Sequence, residues 1–176
     1  MNNEKTSALS ESQLSDFFAD QLHEIFRSEK RILEALPQLQ NMAHAADLKK
    51  NLLEYYSQLQ KEIIRLEGIF TILDILATDG KAEATEALLA EANTVIGKTT
   101  EGSHTRDAAI IIAVQKIGHY KIATYGSLQQ LATTLGMEDI TNLLSQSLQE
   151  EKDNDVLLSD IADKKINWLA EIEPKA

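Results

Sequence analysis

Cysteine is absent from this 176-residue chain. That excludes a disulfide framework, a thiolate metal site and a cysteine nucleophile, and it fits a reducing compartment. Proline occurs only twice and glycine seven times, so turns are few and the elements between them are long. Long apolar runs are missing too. The longest, Ala108 to Val114, falls well short of the roughly 18 uninterrupted apolar residues of a membrane span and reads as a buried helix segment. The polar start, Met1 to Glu11, lacks the basic opening and apolar run of a signal peptide. The expectation is a cytoplasmic protein with no membrane partner. Basic residues are outnumbered, giving a net charge of −11, which repels a phosphate backbone. Lys49–Lys50 and Lys164–Lys165 are only pairs on solvated helix surface, so nucleic acid is not an expected partner. Neither a G-x-G-x-x-G, a P-loop, a G-x-S-x-G nor an H-E-x-x-H motif occurs.

What is present is helical periodicity across one domain large enough to bury its own core. A first helix begins after Ser10 or Ser12, with a seam of Phe18, Leu22, Ile25, Glu29, Ile32 and Leu36 in steps of four and three. Pro37 either kinks it or ends it, with a further turn through Met42. Asp47 is the expected N-cap of a second helix. Its seam runs Leu52, Tyr55, Leu59, Glu62, Leu66, Ile69, Leu73, Leu76, and Asp79–Gly80 stops it. A shorter helix, about Ala82 to Ile96, ends at Gly97, and Lys98 to Ser103 form a polar loop. A fourth helix runs from about Thr105 to Leu135, with Ile110, Val114, Ile117, Lys121, Thr124, Leu128 and Leu131 on one stripe. A fifth starts near Glu138 and carries Leu144, Leu148, Glu151, Asp155, Leu158 and Ile161, with room to persist to Trp168. Two antiparallel hairpins joined by a crossover holding a short helix define an all-α four-helix bundle. The bundle spans 13–170, between a flexible N-terminal segment (1–12) and a C-terminal tail (171–176).

The residues that interrupt the seams are the informative ones. Glu29, Glu62, Lys121 and Glu151 each stand where an apolar residue belongs. Burying an isolated charge is costly, so such groups are paired, metal-bound or neutralised. With a rise of roughly 1.5 Å per residue, a first hairpin turning near position 45 sets Glu29 opposite Glu62. A second turning near 136 sets Lys121 opposite Glu151. All four then share one polar layer. Carboxylates projecting inward from several helices are the usual way a bundle holds a di-metal centre. Lys121 argues the other way: an ammonium repels a divalent cation and itself supplies the compensating charge, so a buried salt-bridge layer is the simpler reading. Among the histidines, His119 lies beside this region as a candidate ligand or a core or rim residue. His44 and His104 fall in connectors and read as exposed. Asp155 shares a helical face with Glu151, while Glu150 points elsewhere. Tyr55, Tyr56, Tyr120 and Tyr125 read as packing residues with a polar tip.

Four segments carry a resemblance: Phe17 to Pro37 (FFADQLHEIFRSEKRILEALP), Arg65 to Phe70 (RLEGIF), Asp107 to Leu128 (DAAIIIAVQKIGHYKIATYGSL) and Leu143 to Asp155 (LLSQSLQEEKDND). Together they resemble the YciE/YciF-like ferritin-like proteins, bacterial stress-associated proteins grouped as a domain of unknown function, over about Leu14 to Ala170. The resemblance implies a ferritin-like bundle, a homodimer and a di-metal site among the helices. This chain departs from the pattern at that site. Where the family has E-H-Y-E on the fourth helix, it has Gly118, His119, Tyr120 and Lys121. Tyr55 and Gln58 replace a His and a Glu on the second, and Gln21 a Glu on the first. Glu29, Glu151 and Asp155 match, and Glu62 is a local candidate. Two expectations follow. One is a non-catalytic, stress-associated relative with no cofactor, whose metal site has become a buried ionic layer. The other is an iron- or manganese-binding protein with a weak oxidation or storage role, using Glu29, Glu62, Glu151, Asp155 and His119.

Overall fold

The computed structural model describes Leu9 and residues 12–174. Apart from Leu9 and Ser12, the expected flexible N-terminal segment lies outside the described residues, as do 175 and 176 of the tail. Helices α1 (Gln13–Met42), α2 (Ala46–Leu73), α4 (His104–Thr134) and α5 (Glu138–Ile161) form the bundle, and α3 (Glu83–Ile96) lies in the crossover. A π-helical turn (Ala162–Ile166) and a last short helix α6 (Asn167–Glu171) extend α5. No strand occurs among the described residues, and none of their helices is long and apolar enough to cross a membrane.

Helix ends follow local chemistry where a side chain can reach them. Ser12 caps α1 by accepting the Ser15 N–H at 3.2 Å, and Ser103 caps α4 by accepting the Arg106 N–H at 3.0 Å. Pro37 neither ends nor breaks α1, which runs on to Met42. Pro37 is on the exposed side of the helix, so its ring does not disturb the buried seam.

Two expected ends move. Asp47 is not the N-cap of α2, which is Ala45 and has no side-chain cap. The carboxylate that serves this end comes from α4 instead: fully buried Asp107 accepts the N–H groups of His44 (2.6 Å) and Ala45 (3.0 Å). Asp47 sits within the first turn and pairs with Lys165 at 2.7 Å, whose hydrogen bond and charge hold its carboxyl below the usual range. The far end of α2 comes at Leu73, before Asp79–Gly80. Asp74 adopts a left-handed conformation (φ 56°) and the Ile75 N–H returns to the Phe70 carbonyl. That is a Schellman cap with aspartate in glycine's usual place, at a cost of about 1–2 kcal/mol. Leu76 therefore leaves the seam and is 86% exposed. The released strand of chain is gripped by α1, where His23 Nε2 bonds the Leu76 carbonyl at 2.9 Å, Arg27 donates to Thr78 and Lys30 pairs with Asp79.

His104 is likewise not in a connector; it opens α4 and is partly buried. Its N–H and that of Thr105 donate to the Glu173 carboxylate at 2.5 and 3.0 Å. These bonds hold Glu173 below the usual carboxylate range. At the end of α5 the π-helical turn inserts one residue. Fully buried Ile166, at the end of that turn, joins the same core cluster as Leu158.

The core has two apolar halves. One holds Ile32, Leu36, Leu48, Leu52, Leu59, Ile110, Val114, Ile117 and Leu158. The other holds Phe18, Leu22, Ile25, Leu66, Ile69, Leu73, Leu128 and Leu144. On every long helix the boundary between them falls at one buried charged residue: Glu29, Glu62, Lys121 or Glu151.

Candidate functional site: a buried ionic layer

One side chain from each long helix enters the layer. The seams put them there: each continues its helix's three-and-four spacing, so each points at the bundle axis, at the height set by the turns at 43–45 and 135–137. Lys121 from α4 is central. Its Nζ lies 2.7 Å from Glu62 Oε2, 2.8 Å from Glu151 Oε1 and 3.0 Å from Glu29 Oε2. All of these side chains are shut off from solvent. The contact with Glu29 is ionic only, because Oε2 lacks an aligned hydrogen-bond donor.

A second ring of groups satisfies the remaining oxygens. The Tyr125 hydroxyl donates to Glu29 Oε1 at 2.7 Å and the Tyr55 hydroxyl to Glu151 Oε2 at 2.9 Å. Gln58 Nε2 donates to Glu62 Oε1 at 2.8 Å and Glu151 Oε1 at 3.0 Å. Just outside, Arg65 forms a two-pronged pair with Glu150 and donates to Ser147 at 2.6 Å.

Three carboxyl groups face one ammonium, and they cannot all ionise in this dry setting. Burial pushes Glu29 well above the usual range; the Lys121 charge opposes this, and Glu62 and Glu151 reinforce it. Burial likewise raises Glu151, to about 7, against the pull of Lys121. Burial acts on Glu62 as well, but the Lys121 charge and the hydrogen bonds from Lys121 and Gln58 outweigh it and leave Glu62 low. Burial alone would lower Lys121, but the charges of Glu151, Glu29 and Glu62 raise it well above its usual value. Burial thus favours the protonated form of Glu29 and Glu151, while the surrounding charges favour the ionised form of Glu62 and the ammonium form of Lys121.

The remaining predicted ligands are elsewhere. His119 is largely exposed and pairs with Asp155 at 3.2 Å on the α4–α5 surface, where Gln115 also donates to Asp155 at 3.1 Å. Two residues from Lys121, His119 points away from the core. Asp155 misses the layer because the buried seam of α5 steps from Glu151 to Asn154 and Leu158. Conversely, Tyr55 and Tyr125 do more than pack. Tyr55 is one heptad before Glu62 and Tyr125 one turn after Lys121, a spacing that marks both as layer neighbours. Gln58 is one turn before Glu62.

The donor set does not suit a di-metal centre. It has three carboxyl groups and no imidazole, and Nζ is in contact with all three. A divalent cation at roughly 2.0–2.2 Å from these oxygens would be pressed against the ammonium. Among the described residues, no group of three or more His, Asp or Glu is arranged to hold a metal ion. Of the positions at which this chain departs from the resembled pattern, Gln21 stays outside the layer and lines surface pockets, and the others gather here. Tyr55, Gln58 and Lys121 are in the layer, and a Cβ added at Gly118 would stand 3.7 Å from Glu151 Oε2, an ordinary contact.

Fold and layer together define a ferritin-like helical bundle with its polar centre at mid-height. The chain belongs to the family described as a domain of unknown function, DUF892, which matches residues 13–171. Protein YciF of Escherichia coli K12 is 35% identical over 162 residues, covering 90% of this chain and 95% of that protein. The solved structure of the E. coli stress protein YciF superposes with a TM-score of 0.83 at 32% identity, over 89% of this chain and 98% of that one. YcfI of Rhodopseudomonas palustris gives 0.81 at 30% identity, over 90% and 98%. A protein from Xanthomonas campestris, 16% identical with a TM-score of 0.73 over 90% and 97%, shares the fold.

Proposed function

We propose that this chain is a non-catalytic, cytoplasmic, stress-associated member of its family in which Lys121 stands in for the metal of a ferritin-like centre. The observation that carries this reading is the position of Lys121 Nζ within 3.0 Å of carboxylates from three other helices. An internal ammonium gives the layer the positive charge that a bound cation would otherwise supply, with no loading step and no redox chemistry. The stress association rests on the likeness to the E. coli stress protein YciF. The chain works as a homodimer, as the family resemblance implies, and needs neither nucleic acid nor membrane; its net charge of −11 disfavours binding to a phosphate backbone.

The test is elemental analysis of protein purified without chelator, followed by iron and manganese titration. Substoichiometric metal throughout is the expected result. Two metals bound per chain would overturn the proposal and favour the iron- or manganese-binding alternative. Light scattering across micromolar concentrations should return twice the chain mass; a monomer throughout would remove the dimer.

A further inference from the structure

Residues 76–81, in the link from α2 to α3, are all exposed. Apolar burial fixes this link only at its ends, through partly buried Ile75 and fully buried Ala82. Between them it is held by a polar ladder on α1. His23, Arg27 and Lys30, spaced four and three residues apart, share one face of that helix. They bond Leu76, Thr78 and Asp79 in turn. Gly80 sits so close to the ladder that a Cβ there would stand 2.8 Å from Arg27 Nε.

His23 differs from the other two rungs. Its Nε2 is 2.9 Å from the Leu76 carbonyl oxygen, and its Nδ1 is 2.8 Å from the carbonyl oxygen of Ala19, one turn back in α1. Both partners only accept. A neutral imidazole has one N–H, so one of the two contacts would set lone pair against lone pair. An imidazolium has two and satisfies both. The ring also lies against Phe70 of α2, with centroids 4.8 Å apart, within reach of cation–π attraction. From α1, Asp20, Glu24 and Arg27 line the same cavity of about 480 Å³, two carboxylates against one guanidinium. The link adds Asp79, already paired with Lys30. The Ala19 carbonyl is fixed inside a long helix, whereas Leu76 belongs to a segment with no buried side chain. Loss of the proton therefore acts on the looser partner. We propose that His23 is a proton-operated latch: its imidazolium clamps residues 76–81 to α1, and the neutral ring releases them. The clamp is closed at low pH and opens as pH rises between 5 and 8, where histidine side chains change charge. It uses no residue of the ionic layer, so it stands or falls separately from the reading of Lys121.

The chain has no cysteine, so Ala77→Cys, at an exposed position, gives a single attachment point for a nitroxide spin label. Its mobility is read by electron paramagnetic resonance of the full chain at pH 5 and pH 8. The label should tumble about twofold faster at pH 8. A label at Gln60→Cys, on the exposed side of α2, should tumble equally at both. Adding His23→Gln should abolish the response at position 77, because glutamine does not titrate. A response that survives His23→Gln would assign the opening to another group, Glu151 of the layer included, and overturn the latch. A label equally immobile, or equally mobile, at both pH values would overturn it too. Nitrogen-15 resonance of the chain without any substitution gives an independent check. Both ring nitrogens of His23 should carry a proton at pH 5, while the segment is clamped. A single protonated nitrogen there would contradict the proposal.

Discussion

The apolar halves of the core and the layer between them are held by different physics. In the halves, side chains such as Leu36 and Leu66 are stabilised by burial and close packing, which are non-directional and insensitive to pH. In the layer, every oxygen needs a donor and the single ammonium needs its carboxylates, so stability depends on which protons are present. Apolar packing tolerates a change of shape with graded cost. A buried ion cluster is near neutral in net stability when intact and costly when one partner is removed. The bundle has thus placed its most breakable contacts where all four long helices meet.

Removing the cation should have the largest effect. Lys121→Met leaves the carboxyls without their counter-charge and should cost about 3–5 kcal/mol, read by urea unfolding. Adding Glu29→Gln, Glu62→Gln and Glu151→Gln to it should recover much of that loss. If Lys121→Met alone is neutral, the layer is not the linchpin described here. Leu66→Ala, in one apolar half, should cost roughly 2–5 kcal/mol, with the same value at pH 5 and pH 8. A pH-dependent cost there would erase the contrast between halves and layer. Tyr125→Phe removes the donor to Glu29 and should cost about 1–3 kcal/mol. It should lose less in a Glu29→Leu background, where there is no acceptor to orphan.

The last effect is a slope. Glu151 has a folded value of about 7 against 4.5 for an ordinary glutamate, so between those values the folded chain holds a proton that the unfolded chain has released. Its contribution is therefore fully present below about 4.5 and is lost as pH rises through about 7, at up to about 1.4 kcal/mol per pH unit for one proton. Thermal melts of the native chain and of Glu151→Gln should diverge over this range, with the variant gaining relative stability toward pH 8. Parallel curves would mean that Glu151 stays ionised throughout.

The four-helix plan was legible because apolar spacing is a property of each helix alone. So was the layer: Glu29, Glu62, Lys121 and Glu151 interrupt otherwise regular seams, and the hairpin turns fix their heights. What escaped depends on partners distant in sequence or on fine angles. The amides before α2, those of His44 and Ala45, are served by Asp107, 63 and 62 residues downstream, whereas Asp47 is the local residue that fits a cap. Leu76 fits the seam of α2, and nothing local but an aspartate's tolerance of the left-handed region marks the stop at Asp74. Asp155 shares a face with Glu151, but a seam alternating in threes and fours chose Asn154. The hydroxyls of Tyr55 and Tyr125 looked incidental until the carboxylates that they serve were in place.

The claim that a lysine fills the place of a metal is tested most directly by manganese titration of the native chain beside Gly118→Glu combined with Lys121→Glu. Gly118 has room toward Glu151, and the second change replaces the ammonium with a carboxylate. The substituted chain should bind manganese saturably while the native chain binds none. Stoichiometric binding by the native chain, unchanged in the variant, would contradict the claim.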